Sequence, residues 1–332
     1  MRVSVIGAGS WGTTVASMVA AKVETVVWAR REEVAEAVNE RRENPDYLPD
    51  VRLPERLRAT THLPNALDGT DLVIMGVPSH GYRDVLTMAA PNIPDRAPIL
   101  SLTKGIEQST LMLMTQVTSD VLPQHDSNLI GVLTGPNLAR EIIAGQPAAT
   151  VIAMKDPDIA RELQALFMSP TFRVYTNPDV IGAESAGAVK NVMAIAAGMA
   201  DGLGFGDNTL ATLITRALAE MTRLGEAMGG EAATFSGLAG MGDLIATCAS
   251  SISRNHTVGF ALGRGRSLDE IIAEMNMVAE GVKTTRGVLE LADRYDVEIP
   301  IAYQVGRVLY DGIPVVEAIA SLMGREPRSE AH

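Results

Sequence analysis

The chain has 332 residues, 46% of them hydrophobic, with 28 Lys and Arg against 40 Asp and Glu for a net charge of −12. This length predicts two domains, and the acidic balance excludes nucleic acid as the main partner while still allowing an anionic small molecule in a local basic pocket. The single cysteine, Cys248, excludes an intrachain disulfide and predicts a reducing, cytoplasmic setting; no signal peptide is expected, and apolar stretches such as VMAIAAGMA are too short to span a bilayer.

The first predicted strand, in VSVIG, runs into Gly7, Gly9 and Gly12 at G-x-G-x-x-G spacing, followed at once by a helix-compatible stretch. The first glycine permits a tight turn, the second lets a phosphate approach the backbone, and the third lets the helix pack close. That context predicts a dinucleotide site, with pyrophosphate at the positive end of the helix. The second predicted strand, ETVVWAR, ends on Arg30 and Arg31. An acidic residue here would hold a ribose 2′-hydroxyl, whereas two guanidiniums suit a 2′-phosphate. NADP(H) is therefore preferred, with NAD(H) possible. Glu32 and Glu33 are expected to start the next helix.

NPDYLPDVRLPERL, interrupted by Pro45, Pro49 and Pro54, reads as an excursion loop. Further strands are predicted in DLVIMGVP, APILSLT, NLIGVLTG, AATVIAM and FRVYTN, with helical stretches between several of them. This alternation predicts a doubly wound, mostly parallel sheet of Rossmann type, whose ligand crevice lies where strands end. Three loops at such ends carry polar groups. His80, in VPSHGYRDVL, reads as an exposed loop residue. Lys104, in SLTKGIE, reads equally as a solvated lysine or as a point charge for an anion. In LTGPNLAREI, Gly135 allows close backbone approach, Asn137 offers a donor and an acceptor or else caps the next helix, and Ala139 opens that helix.

After about residue 180, apolar residues recur at the helical period, which predicts an all-α C-terminal domain. The expected division is a dinucleotide-binding domain over 1–180 and a helical substrate domain over 181–332, with a cleft between them. In ESAGAVKNVMAIAAGMADG, Lys190 lies among small apolar residues, where it must snorkel or be functional; desolvation would lower its pKa and suit it to take a proton from an alcohol. Asn191 projects about 100° away on a helix and need not share its target. In GLAGMGDLIATCASSISRNHTVGF, a glycine-rich loop carries Asp243, and Ser253 can cap a helix that places Arg254 and Asn255 at its positive end. Cys248 reads as a buried small residue. The histidines are scattered, with no metal-ligand spacing.

Taken together, GAGSWGT, VVWAR, YLPDVRLP, VPSHGYRDVL, LTKGIE, TGPNLAREI, GAVKNVMAIAAG, NTLATLITRALAEM, GLAGMGDLIATCASSISRN, GFALGRG and VAEGVKTT span nearly the whole chain. In this set the sequence resembles the bacterial-type NAD(P)-dependent sn-glycerol-3-phosphate dehydrogenases. The resemblance implies hydride exchange between a nicotinamide and C2 of glycerol 3-phosphate or dihydroxyacetone phosphate, supplying glycerol 3-phosphate for glycerophospholipid synthesis. It implies Lys190 as general acid–base, with Lys104 and Asp243 near the reacting end. It implies substrate contacts at Lys104, Gly135, Asn137, Lys190, Asp243, Ser253, Arg254 and Asn255. Cofactor contacts are implied at Ser10, Trp11, Arg30, Arg31, Lys104, Ala139, Arg254, Val278 and Glu280. Asn137 stands where the family usually has Ser or Thr, and AKVETVVWAR lacks the usual Gly-His. No membrane span is implied, and a homodimer is admitted. Two alternatives remain open from the residues: a related dehydrogenase acting on another hydroxy acid, and a catalytically silent NADP(H) sensor.

Overall fold

The computed structural model describes residues 1–275, 279–327 and 329. Among these, eight strands form one sheet: β1 (Arg2–Ile6), β2 (Glu24–Trp28), β3 (Leu57–Thr60), β4 (Leu72–Met75), β5 (Ile99–Ser101), β6 (Ile130–Thr134), β7 (Ala148–Ala153) and β8 (Phe172–Asn177). Their order is β3-β2-β1-β4-β5-β6-β7-β8. All neighbouring pairs are parallel except β6–β7. The central strands β4, β5 and β6 are buried along their whole length, as strands covered on both faces must be. The strands read from the sequence all form; β3 was not foreseen. Its LRAT alternates buried and exposed residues over only four positions at the sheet edge, and it follows directly on the proline-rich loop.

That loop is not idle. Asn44 is fully buried and donates to Ala8 O at 2.9 Å and to Thr13 Oγ1 at 2.8 Å. Ser10 Oγ donates to Tyr47 O at 2.8 Å. The excursion thus braces the glycine turn after β1.

From Val180 onward the chain is helical. Its axis is the helix Val180–Gly202, with its N-cap Asp179 accepting from Gly182 N at 2.8 Å. By length and composition this helix could cross a bilayer, contrary to the expectation from its shorter apolar stretches. Here 89% of its most apolar window is buried in the protein, so its apolar surface is already used in packing. Helices Asp207–Ala227, Arg254–Gly263 and Glu280–Tyr295 pack around it. The closest approach is to Arg254–Gly263. A Cβ at Gly198 would overlap His256 O, one at Gly202 would overlap Phe260 O, and one at Gly259 would overlap Ile195 O. Only glycine permits backbones to lie this near. This crossing sets where the first turn of Arg254–Gly263 sits relative to Lys190.

Candidate active site

The switch in strand order falls between β1 and β4, and the site is built from the loops at the ends of the parallel strands. Gly7 follows β1 with φ +120°, and a Cβ there would come within 2.6 Å of Gly76 O. A Cβ on Gly12 would overlap Gly7 O, so the helix Ser10–Ala20 can seat only on glycine. A Cβ on Gly9, by contrast, would meet nothing within 4 Å. The three glycines therefore play three different parts, and the middle one faces open space. Gly9 is the N-cap, without a side-chain cap, so amide donors at the helix start remain available. Trp11 Nε1 is buried there without a partner. An open cradle and an orphaned donor fit a dinucleotide pyrophosphate.

At the end of β2, Arg30 is exposed. Arg31 forms an ion pair with Asp46 and lies 5.7 Å from the centre of the Tyr47 ring, so the excursion loop also reaches this edge. Glu32 begins the next helix, as expected.

The second half of the site is a charge cluster. Lys190 is 6% exposed and donates to Asp243 Oδ1 at 2.7 Å and to Thr247 Oγ1. Lys104, at the end of β5, donates to Asp243 Oδ2 at 2.5 Å and to Gly135 O at 3.0 Å. Asp243 is 2% exposed and directly follows a π-helical turn, Leu238–Gly242. Such turns displace the residues after them and often stand at functional sites. One carboxylate thus holds two lysines, one from each half of the chain. Burial pushes Lys104 down to about 8, with Lys190 adding to the effect and Asp243 opposing it. Cys248 is buried and pushed up to about 12 by that burial, which makes it a packing residue and not a nucleophile.

A hydrogen-bonded chain joins this cluster to the loop after β4. Asn255 Nδ2 donates to Asn191 Oδ1 and Asn255 Oδ1 accepts from Gly281 N, both at 2.9 Å. The neighbouring Glu280 accepts from Ser79 Oγ at 2.5 Å. Sequence reasoning placed Ser79 in a loop on the cofactor side, but missed Asn191 and Thr247 as members, because their partners lie 64 and 57 residues away. His80 is exposed, as expected.

The other expected residues fall around this core. Ser253 caps Arg254–Gly263, accepting from His256 N at 3.4 Å, and Arg254 occupies the first helical position. Ala139 does open a helix, Ala139–Ile143, but its N-cap is Leu138, not Asn137. Asn137 instead donates to Thr150 Oγ1 at 3.0 Å, which the antiparallel β7 brings beside the end of β6. Its Oδ1 is buried without a partner. Val278 lies outside the described residues. Among the described residues no cluster of His, Cys, Asp or Glu is suited to a metal.

A glycine cradle at the head of a parallel sheet, together with a buried lysine–aspartate–lysine cluster joining the two halves of the chain, defines a two-part dinucleotide-linked dehydrogenase as the class. Residues 2–160 match the family model described as NAD-dependent glycerol-3-phosphate dehydrogenase N-terminus, and residues 179–320 match the model of its C-terminus. A glycerol-3-phosphate dehydrogenase [NAD(P)+] of Sphingopyxis alaskensis is 51% identical over 332 residues, covering 100% of this chain and 99% of that one. One of Corynebacterium aurimucosum is 52% identical over 330 residues, 99% of each. The crystal structure of glycerol-3-phosphate dehydrogenase from Coxiella burnetii superposes with a TM-score of 0.92 at 36% identity, covering 98% of this chain and 99% of that one. The chain belongs to the NAD-dependent glycerol-3-phosphate dehydrogenase family.

Proposed function

We propose that this enzyme interconverts sn-glycerol 3-phosphate and dihydroxyacetone phosphate using NAD(P)(H), with Lys190 as the general acid–base. The observation that carries the roles is the Lys104–Asp243–Lys190 cluster. When bound, the dinucleotide supplies hydride chemistry at its nicotinamide ring. The Gly7–Gly12 turn, Ser10 and Trp11 hold its pyrophosphate end, and Ala139, Arg254 and Glu280 line its path. The chain's own work is proton transfer and charge balance. In reduction, Lys190 gives its proton to the oxygen at C2 as that oxygen gains charge; in oxidation, it takes the hydroxyl proton back. Asp243 positions the ammonium and compensates its charge. With two lysines to one carboxylate, the pocket keeps a net positive charge toward an anionic substrate when both are protonated.

The division near residue 180, between β8 and the helix Val180–Gly202, separates the cofactor half from the substrate half. Arg30 and Arg31 support a preference for NADPH. Gly135, Asn137, Ser253, Arg254 and Asn255 form the substrate end. The product glycerol 3-phosphate feeds glycerophospholipid synthesis. A single, buried cysteine suits a reducing cytoplasm. Exposed Tyr303, Val316 and Met323 offer apolar surface for a homodimer, a state that sedimentation reads directly. The test of the reaction is loss of NADPH absorbance on adding dihydroxyacetone phosphate. Equal turnover with the unphosphorylated ketone would assign a different dehydrogenase, and no turnover with either would leave a binding protein.

A further inference from the structure

We propose that Glu184 is a positioning residue for this reaction, fixing Lys190 and Lys104 relative to one another by joining the helix that carries the first to the segment that carries the second. The inference rests on the proposed function. Glu184 is 3% exposed and lies six residues before Lys190 on one uninterrupted helix, about 9 Å along its axis. Its Oε1 accepts from Thr115 N at 3.0 Å, and its Oε2 accepts from Thr115 Oγ1.

Thr115 is the second residue of the helix Met114–Val121 in the sheet half of the molecule. That helix starts at the end of a fold-back that begins beside Lys104. Ile106 bridges to Leu113, Glu107 N donates to Met112 O at 2.9 Å, and Leu113 N donates to Gln116 Oε1 at 2.9 Å. From outside, Arg83 clamps the fold-back by pairing with Glu107 at 2.9 Å. A displacement of Thr115 is therefore passed to Lys104 through a short braced segment. A displacement of Glu184 is passed to Lys190 through rigid helix. The two lysines meet again at Asp243, which closes a loop of contacts across the two halves.

Packing alone does not call for a carboxylate here. The hydrogen-bond donors to Glu184 are the start of one helix, with no lysine or arginine among them, and burial pushes the group up to about 7. An apolar side chain of similar volume would avoid that burial cost, but it could not gather the Thr115 amide and hydroxyl donors.

The experiment compares Glu184→Gln, Thr115→Val and Thr115→Ser with the wild type in full-length enzyme. It measures kcat and KM with dihydroxyacetone phosphate, NADPH affinity by fluorescence, and thermal stability. Glu184→Gln and Thr115→Val are each expected to lower kcat ten- to a hundredfold, the scale of a reacting group displaced by about 1 Å, with NADPH affinity unchanged. Thr115→Ser, which keeps the hydroxyl, is expected to restore the rate. Wild-type kcat in Glu184→Gln overturns the inference. So does a parallel fall of kcat and NADPH affinity in step with stability, or a Thr115→Ser enzyme as slow as Thr115→Val. If Glu184→Gln does not fold, the Thr115 pair decides alone, since Glu184 stays in place. Failure of the wild type to reduce dihydroxyacetone phosphate would instead refute the proposed function.

Discussion

Lys190 is the residue whose chemistry is most exposed to test. Lys190→Met keeps the apolar stem and should keep fold and NADPH binding, while hydride transfer falls by ~10²–10⁴, the usual range for losing a positioned acid–base. Lys190→Arg should be poor as well, because a guanidinium is not deprotonated in proteins. Turnover and NADPH fluorescence on the same samples check both; near-normal turnover in Lys190→Met would move the proton to Lys104. Lys104 has its own signature. Its pKa is lowered to about 8 by burial, so its positive charge is present below that pH and lost above it. The KM for dihydroxyacetone phosphate should therefore rise as pH passes about 8, and a Lys104→Met enzyme should show a higher KM without that rise. At the other end of the site, replacing both Arg30 and Arg31 by Ala should weaken NADPH at least ten- to a hundredfold while sparing NADH, the loss that a single charged hydrogen bond of ~1.5–3 kcal/mol represents. The effect of Arg31 is moderated by its existing pairing with Asp46, which a 2′-phosphate must displace. Equal changes in KM for the two cofactors would refute that assignment.

Elements explain what the sequence could and could not show. The glycine turn was legible because each of its residues answers a local demand: a positive φ at Gly7, a seated helix at Gly12, open space at Gly9. That difference is testable. Gly9→Ala should fold as the wild type but bind NADPH poorly, whereas Gly12→Ala should lose about 1–3 kcal/mol of stability through overpacking. Melting curves and fluorescence titrations separate the two, and a Gly12→Ala protein as stable as the wild type would contradict the close packing. Lys190 and Asp243 stood out by being charged in apolar or glycine-rich runs. Their meeting at 2.7 Å could not be read from spacing, since 53 residues separate them. Nor could the Asn191–Asn255–Gly281 chain, which exists because Gly198, Gly202 and Gly259 let two helices cross closely. β3 escaped notice because an edge strand of four residues carries too little periodicity to stand out beside three prolines.

Across the whole molecule, two buried carboxylates tie distant parts together at helix starts. Glu184 receives Thr115, and Glu220 receives Ile301 N at 2.8 Å and Ala302 N at 3.3 Å. Burial raises both to about 7 from an ordinary 4.5. Between those values the folded protein holds more protons than the unfolded chain, so stability falls as pH rises from about 4.5 to about 7 and levels off above. Each group contributes at most about 3 kcal/mol to that fall. Glu220→Gln should flatten part of the decline between pH 5 and pH 8 in thermal melts. A variant with the wild-type pH slope would show that Glu220 does not titrate in this range.

The helix Val180–Gly202 has a consequence for how the chain is made. Most of its apolar surface is covered by helices that follow it, and its closest partner begins only at Arg254. The fifty-one residues between Gly202 and Arg254 must therefore be added before that cover begins to exist. At ~5–20 residues per second this takes about 3–10 s, during which a nascent chain carries a segment apolar enough for a bilayer with only part of its shelter. Ribosome-bound chains halted before Arg254 should be cut by protease within 180–202 and captured by chaperones, and chains extended past Tyr295 should resist both. Equal resistance at the two lengths would mean that the segments before Arg254 suffice to shield it.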